Sequence, residues 1–380
     1  MGNYIQYVMK KIIILLLVIT LLPISVSAEE KPLSGVSSEH VIWNYDKDTK
    51  TMSFRYDAEA HNVKEAELNC WRHEAEHVIY EEGMQTIGWE IRYFTSCKDI
   101  EFSSTIRKIK AWSCAYMHSL ESVTPNEGLQ VIEDYAFWGS ALKSTSLPST
   151  LKSIGDYAFY DTRNLQSAVM PVFLKRIGKA AFAYSGISNI ILNDGLKSIE
   201  DGAFYNTRLR EIVIPDSVTK LGKSALAHSD HGDINDASDF FGYGGSIVKV
   251  TLPANLKKLE VDMFEFQGQL KKITLPKSLK VIGMGAFSYA GLQEVTIPSN
   301  VEILGQKGDD SIDGIFEHCN RLKKVSITTR KLKKVKKGAL SRTPLNTVFV
   351  VPKGMKKKYT KLFRKGGLSK KIKIKESKKW

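Results

Sequence analysis

GLQVIEDYAF (128–137), TLKSIGDYAF (150–159), FLKRIGKAAF (173–182), GLKSIEDGAF (195–204) and SVTKLGKSAL (217–226) are successive versions of one ten-residue phrase. The pairs that end them are Ala136–Phe137, Ala158–Phe159, Ala181–Phe182, Ala203–Phe204 and Ala225–Leu226, spaced by 22, 23, 22 and 22 residues. The phrase returns as NLKKLEVDMF (255–264) and SLKVIGMGAF (278–287), and its frame continues through Ile315–Phe316 and Ala339–Leu340. A fixed period of this length marks a solenoid. One such unit cannot enclose its own Leu, Ile and Phe, whereas stacked units bring the same columns into one continuous core.

A second phrase follows the first, of the form L-x-x-I-x-I-P: LREIVIP (209–215), LKKITLP (270–276) and LQEVTIP (292–298). Its apolar positions alternate near the end, the period of a strand with one buried face. Proline closes it because it has no N–H to give to a ladder. The Ala-Phe segment is too short for a full helix and is expected to form a turn or a helical turn. The units extend upstream: HVIYEEGMQTIG (77–88) aligns with NIILNDGLKSIE (189–200), and FTSCKDI (94–100) with FEHCNRL (316–322). About eleven units are expected over residues 75–352. Strands spaced by about 4.8 Å would make a ladder on the order of 50 Å long.

The flanks read as closures. Residues 29–74 are expected to form an N-terminal cap, with a hairpin in VIWNYDKDTKTMSFRY (41–56). Residues 353–380 read as a basic C-terminal cap: a short helix, a stop at Gly366–Gly367 and a last strand at Ile372 to Ile374. Insertions near 229–245 and 306–314 interrupt the solenoid. The composition, 43% hydrophobic and 25% charged, is that of an ordered chain. At the N-terminus, Lys10 and Lys11 precede an apolar run from Ile12 to Leu22, and small residues Val26 and Ala28 follow. Residues 1–28 are thus expected to be a signal peptide cut before Glu29. The run is short for a bilayer core of about 30 Å. The expected location is extracellular, secreted or cell-surface associated, with no transmembrane segment after cleavage.

With these residues in view, the repeated Ala-Phe and L-x-x-I-x-I-P pattern resembles the BspA-type leucine-rich repeats of secreted and surface proteins. The stretch beginning at Trp43 resembles that family's N-terminal lead-in, and VPKGMKKKYTKLF (351–363) its closing segment. The resemblance implies a right-handed leucine-rich-repeat solenoid, with a parallel β-sheet on one face and turns and short helical turns on the other. It also implies extracellular binding or adhesion. No enzymatic activity and no cofactor are expected.

Several constellations could carry chemistry. His73-Glu74-Ala75-Glu76-His77 matches H-E-x-x-H, which on a helix places two histidines on one zinc ion, with the glutamate as base. The repeat register instead makes His77 the start of a strand, because Val78 and Ile79 fall in the columns of Ile190 and Ile191. Residues four apart on a strand are about 13 Å apart. A zinc metallopeptidase is therefore the remote alternative. The insertions hold Asp230, Asp233, Asp236 and Asp239 with His228 and His231, and Asp309, Asp310 and Asp313. Neither fits the twelve-residue calcium loop, and both read as solvated turns where partner contacts could gather. Cys97 and Cys319 share a column many turns apart, which forbids a disulfide. They and Cys114 read as buried hydrophobes, while Cys70 is unassigned. No nucleophile–base arrangement stands out.

Two surfaces remain as candidates. The outward strand column reads Ser146, Val169, Ile191, Val213, Thr251, Thr274, Thr296, Ser326 and Phe349. Val169, Ile191 and Val213 would make an apolar stripe over three turns, with Asn189 and Glu211 as polar neighbours. The second surface is charge. Residues 321–380 hold 23 Lys and Arg against one acid, Glu376, a net of +22, while the rest of the chain is −8. Lys333, Lys334, Lys336, Lys337, Lys356, Lys357 and Lys358 are the candidate contacts for a polyanion. No aromatic ladder accompanies them, which speaks against single-stranded nucleic acid. The expected partner is an extracellular protein or an anionic polymer of wall or host matrix, not a small-molecule substrate. The alternative function is a structural protein of the cell envelope, held on anionic wall polymers by the cationic C-terminal cap.

Overall fold

The structure is a computed structural model. It describes residues 31–38, 40–60, 68–229, 245–306 and 313–378. Residues 1–28, the expected signal peptide, lie outside the described residues, as do Asp230, His231, Asp233, Asp236, Asp239, Asp309 and Asp310.

From Ser34 the chain opens with three antiparallel strands, Ser34–Ser38, Val41–Asp46 and Thr51–Tyr56. Alternation in VIWNYD and TMSFRY sends Trp43, Tyr45, Met52 and Phe54 inward. The Asp46 carboxylate turns the corner by accepting the N–H groups of Asp48 at 2.9 Å and Thr49 at 3.3 Å. Thr51–Tyr56 then pairs in parallel with His77–Tyr80, and that strand with Asp99–Phe102. The hairpin is thus the first rung of the stack. About 13 turns follow in a parallel β-solenoid.

The face strands form one seven-stranded sheet through Ser144–Thr145. Two pairs follow, Ser167–Val169 with Asn189–Ile191 and Glu211–Val213 with Lys249–Thr251. A four-stranded sheet of Glu294–Ile297, Lys324–Ile327, Val348–Val351 and Lys373–Glu376 closes the chain. A second parallel ladder, absent from the sequence expectation, is built by the S-I and K-L pairs of the ten-residue phrase. Ser153–Ile154 sits between Val131–Ile132 and Arg176–Ile177, and the ladder continues through Ser198–Ile199 to Lys220–Leu221. Two residues are too few to display a period of two, so only neighbouring turns reveal this ladder.

The Ala-Phe segments form turns that bond to one another. Tyr135, Phe137 and Gly139 donate their N–H groups to the carbonyls of Asp156, Ala158 and Tyr160 at 2.9, 2.8 and 2.8 Å. Inside, the phenyl rings stack: Phe137 on Phe159 and Phe159 on Phe182 at 5.1 Å, and Phe182 on Phe204 at 5.8 Å. The column resumes with Phe264, Phe287 and Phe316 at 5.7 and 5.9 Å. Each such contact contributes about 0.5–1.5 kcal/mol beyond the burial itself. Close stacking also demands glycine at Gly178, where an added Cβ would stand 2.3 Å from the Gly155 carbonyl oxygen.

Strand register is kept across both insertions. Glu211 pairs with Lys249, 38 residues on, and Glu294 with Lys324, 30 residues on. At the end, helix Lys356–Lys365 buries Tyr359 and Phe363, Gly367 takes a φ of 99°, and Lys373–Glu376 pairs with Val348–Val351. Among the described residues no helix is long and apolar enough to cross a membrane.

One outward residue requires correction. Phe349 is fully buried, in the column of Val325 and Ile374, and packs 5.3 Å from Phe363. The outward position beside Ser326 belongs to Val350. A slip of one residue reverses every face of a strand. Counting forward from Leu345 leads to the wrong register, since Leu345 is itself exposed. Counting back from the closing Pro352 leads to the observed one.

Candidate functional site

The sheet face carries the apolar stripe. Val169 and Ile191 are register partners on adjacent strands, and Val213 occupies the same column on the next turn. They are 60%, 58% and 63% exposed, while Ala168, Ile190 and Ile212 beside them point into the core. Strand alternation thus exposes three branched apolar side chains. Asn189 and Glu211 are exposed on the same face. The Glu211 carboxylate lies 3.6 Å from the Lys249 ammonium.

Two further exposed apolar residues were not found from sequence. Val172 and Phe173 are exposed in the loop after Ser167–Val169. The corresponding positions on other turns are Ser149–Thr150, Asp194–Gly195, Asp216–Ser217 and Ala254–Asn255. The signal was a column comparison: an apolar pair stands where other turns carry small or polar residues.

The lysine candidates fall into two groups. Lys333 is exposed and pairs with Glu302 at 2.6 Å, drawing that carboxyl below its ordinary range, with the Lys333 hydrogen bond the main cause. Lys334 opens the short strand Lys334–Val335, and Lys336 and Lys337 follow it. They border the C-terminal end of the helix, because Leu340 donates its N–H to the Gly366 carbonyl. Lys356, Lys357 and Lys358 are exposed in the first turn of the helix, about 15 Å away along its axis. Three cations at the positive end of a helix are unfavourable. Glu376 offsets them by accepting the N–H groups of Gly354 at 3.0 Å and Lys356 at 3.3 Å.

The H-E-x-x-H stretch has a structural occupation. His77 begins strand His77–Tyr80, as its register requires, and its Nδ1 pairs with Asp99 at 2.8 Å. His73 lies in the turn before it, with Nδ1 2.8 Å from the Thr95 hydroxyl. Glu76 receives Lys50 of the hairpin at 2.5 Å and Lys98 of the following turn. These bonds hold its carboxyl down at about 2, the Lys50 hydrogen bond first. Among the described residues no group of His, Cys, Asp or Glu could hold a metal ion. Burial of His228 pushes its imidazole down, and burial of Asp313 pushes its carboxyl up.

Cys97, Cys114 and Cys319 are buried free thiols, and Cys70 is half-buried. Burial pushes Cys97 and Cys319 up to about 12 and Cys114 well above its ordinary value. Such thiols are unreactive packing residues.

The repeat profile described as the BspA type leucine-rich repeat region matches residues 113–231 and 237–373, in six copies. No curated protein matches the chain. Among solved structures, the chain is similar to a leucine-rich repeat protein from Bacteroides ovatus, with 18% identity, a TM-score of 0.48, and coverage of 90% of this chain and 99% of that one. It is also similar to the pneumococcal vaccine antigen PcpA, at 18% identity, TM-score 0.35, and 90% and 100% coverage. A leucine-rich cell surface protein from Faecalibacterium prausnitzii follows at 16% identity, TM-score 0.33, and 88% and 98% coverage. The repeat match spans more than half of the residues, in the frame that the Ala-Phe turns and both ladders share, and the chain therefore belongs to the BspA-type leucine-rich-repeat family.

Proposed function

We propose that this is a secreted or cell-surface binding protein without enzymatic activity, which recognises an extracellular protein through the sheet face of its solenoid. The observation that carries this reading is the stripe of Val169, Ile191 and Val213, exposed on three successive turns, with Val172 and Phe173 exposed in the loop that follows the first of these strands. A contiguous apolar patch rimmed by polar residues is the chemistry of a contact site. The cleavable N-terminal segment read from the sequence supports export. Ile191→Lys changes only an outward side chain, so the melting curve should stay put. Pull-down of a protein from host-matrix or cell-wall fractions should fall at least about tenfold, the equivalent of about 1.4 kcal/mol. Undiminished capture by Ile191→Lys removes the stripe from the reading.

A second reading rests on the +22 carried by residues 321–380: retention on an anionic wall or matrix polymer by the cationic end. Exposed lysines act through long-range attraction that salt screens. Retention on immobilised heparin that weakens with salt, and weakens further in the variant K356Q/K357Q/K358Q, supports it. Retention indifferent to both ends it.

A further inference from the structure

The ladder on the sheet face opens between strands Lys249–Thr251 and Glu294–Ile297. Residues 270–276, LKKITLP, carry the strand pattern, and Gln293 still donates its N–H to the Lys271 carbonyl at 3.0 Å. Yet among the described residues no backbone hydrogen bond joins Lys272, Ile273 or Thr274 to the strand on either side. Ile273 is half-buried, whereas Ile212, Val250 and Val295 of the same column are buried. A cleft of about 730 Å³ lies over this rung.

Its lining has a definite chemistry. Among the described lining residues Lys249, Lys272 and Lys324 set three ammonium groups against the Glu294 carboxylate, with Glu211 3.6 Å from Lys249 at the border. Thr251, Thr274 and Thr296 stand on successive turns and add hydroxyls, at the inter-strand spacing of about 4.8 Å. Hydroxyls both donate and accept, ammonium groups donate, and the open rung leaves main-chain N–H and C=O groups without ladder partners. Among the described residues no aromatic ring lines the cleft. A peptide would bring large side chains that need apolar pockets, whereas the apolar lining residues Val250, Leu252 and Val295 are themselves buried in the sheet, and a nucleic acid would need rings to stack on. Sugars need dense hydrogen bonding, and acidic sugars need cations as well. The volume is in the range of about 300–1,000 Å³ that encloses a small ligand, which suits a short stretch of chain.

We infer that this cleft binds a segment of an anionic polysaccharide, its acidic groups held by Lys249, Lys272 and Lys324 and its hydroxyls by the threonines. The inference rests on the reading of the sheet face as a binding surface, and uses the turns adjoining the apolar stripe, Thr251 being the register partner of Val213. A heparin-derived tetrasaccharide serves as the probe, titrated calorimetrically into the intact protein, with inorganic polyphosphate as a control for charge alone. All substituted side chains are exposed, and each variant is checked by its melting curve.

The variant K249Q/K272Q/K324Q should bind the tetrasaccharide at least about tenfold more weakly. T274V/T296V should weaken it severalfold while leaving polyphosphate unaffected. Absence of tetrasaccharide binding, or binding untouched by the lysine triple variant, overturns the inference. So does an equal loss of polyphosphate in T274V/T296V. Binding lost only in K356Q/K357Q/K358Q overturns the cleft while sustaining retention by the cationic end. Binding lost in the cleft variants, with protein capture unaltered in Ile191→Lys, sustains the cleft while the stripe fails.

Discussion

Glu76 shows how one side chain can be read in two ways. Within H-E-x-x-H it sits beside residues of catalytic type; in the folded chain it clamps Lys50 and Lys98 and joins the hairpin to the first full turns. Its folded carboxyl, at about 2, is depressed from an ordinary value of 4.5. A depressed carboxyl contributes stability that is present above the unfolded value and lost as pH falls through the folded one. The clamp should therefore be fully effective above pH 4.5 and fade toward pH 2. Glu76→Gln should melt a few degrees lower than the parent at pH 7, with the two curves converging near pH 2. A difference that persists undiminished at pH 2 would show that the side chain acts by packing rather than by charge. Phe349 makes the complementary point. Its identity was plain, but its face depended on whether the strand is counted from Leu345 or from Pro352, and only the pairing with Val325 decides that.

Among elements, the turns were legible as units and the second ladder was not. The strand phrase L-x-x-I-x-I-P announces itself through alternation, whereas Ser153–Ile154 and its equivalents are two residues long. They become strands because stacked neighbours hold them in hydrogen-bonding distance. That ladder has little slack. At Gly178 a methyl group would meet the Gly155 carbonyl of the preceding turn, so Gly178→Ala must separate two turns or twist them. Overpacking of this kind costs about 1–3 kcal/mol. The urea midpoint of Gly178→Ala should fall accordingly, and a midpoint equal to that of the parent would mean that the stack yields at no cost. The open rung at 270–276 teaches the reverse lesson. Its sequence fits the strand phrase as well as LREIVIP does, yet Lys272, Ile273 and Thr274 make no ladder bonds, and a cleft stands over them.

For the whole molecule, stability passes from turn to turn, because each unit touches only its neighbours. The ends matter most, since an uncovered end exposes the core columns. Helix Lys356–Lys365 and strand Lys373–Glu376 cover the last turn by burying Tyr359 and Phe363 against Phe349. Deleting 353–380 should therefore lower the melting temperature and expose apolar surface to a hydrophobic dye. K356Q/K357Q/K358Q, which alters only exposed side chains, should leave both unchanged. Equal melting of the deletion and the parent would mean that the segment closes nothing. For the same reason the substitutions, not the deletion, separate retention by charge from integrity of the fold. By itself the sequence determined the solenoid, its period, its family, the core columns and the stripe of Val169, Ile191 and Val213, because those depend on patterns repeated in register along the chain. Tertiary structure alone decided the second ladder, the face of Phe349, the use of Glu76 as a clamp and the opening over residues 270–276. Each of these depends on where a neighbouring turn stands, about 22 residues away, and no local pattern records that position.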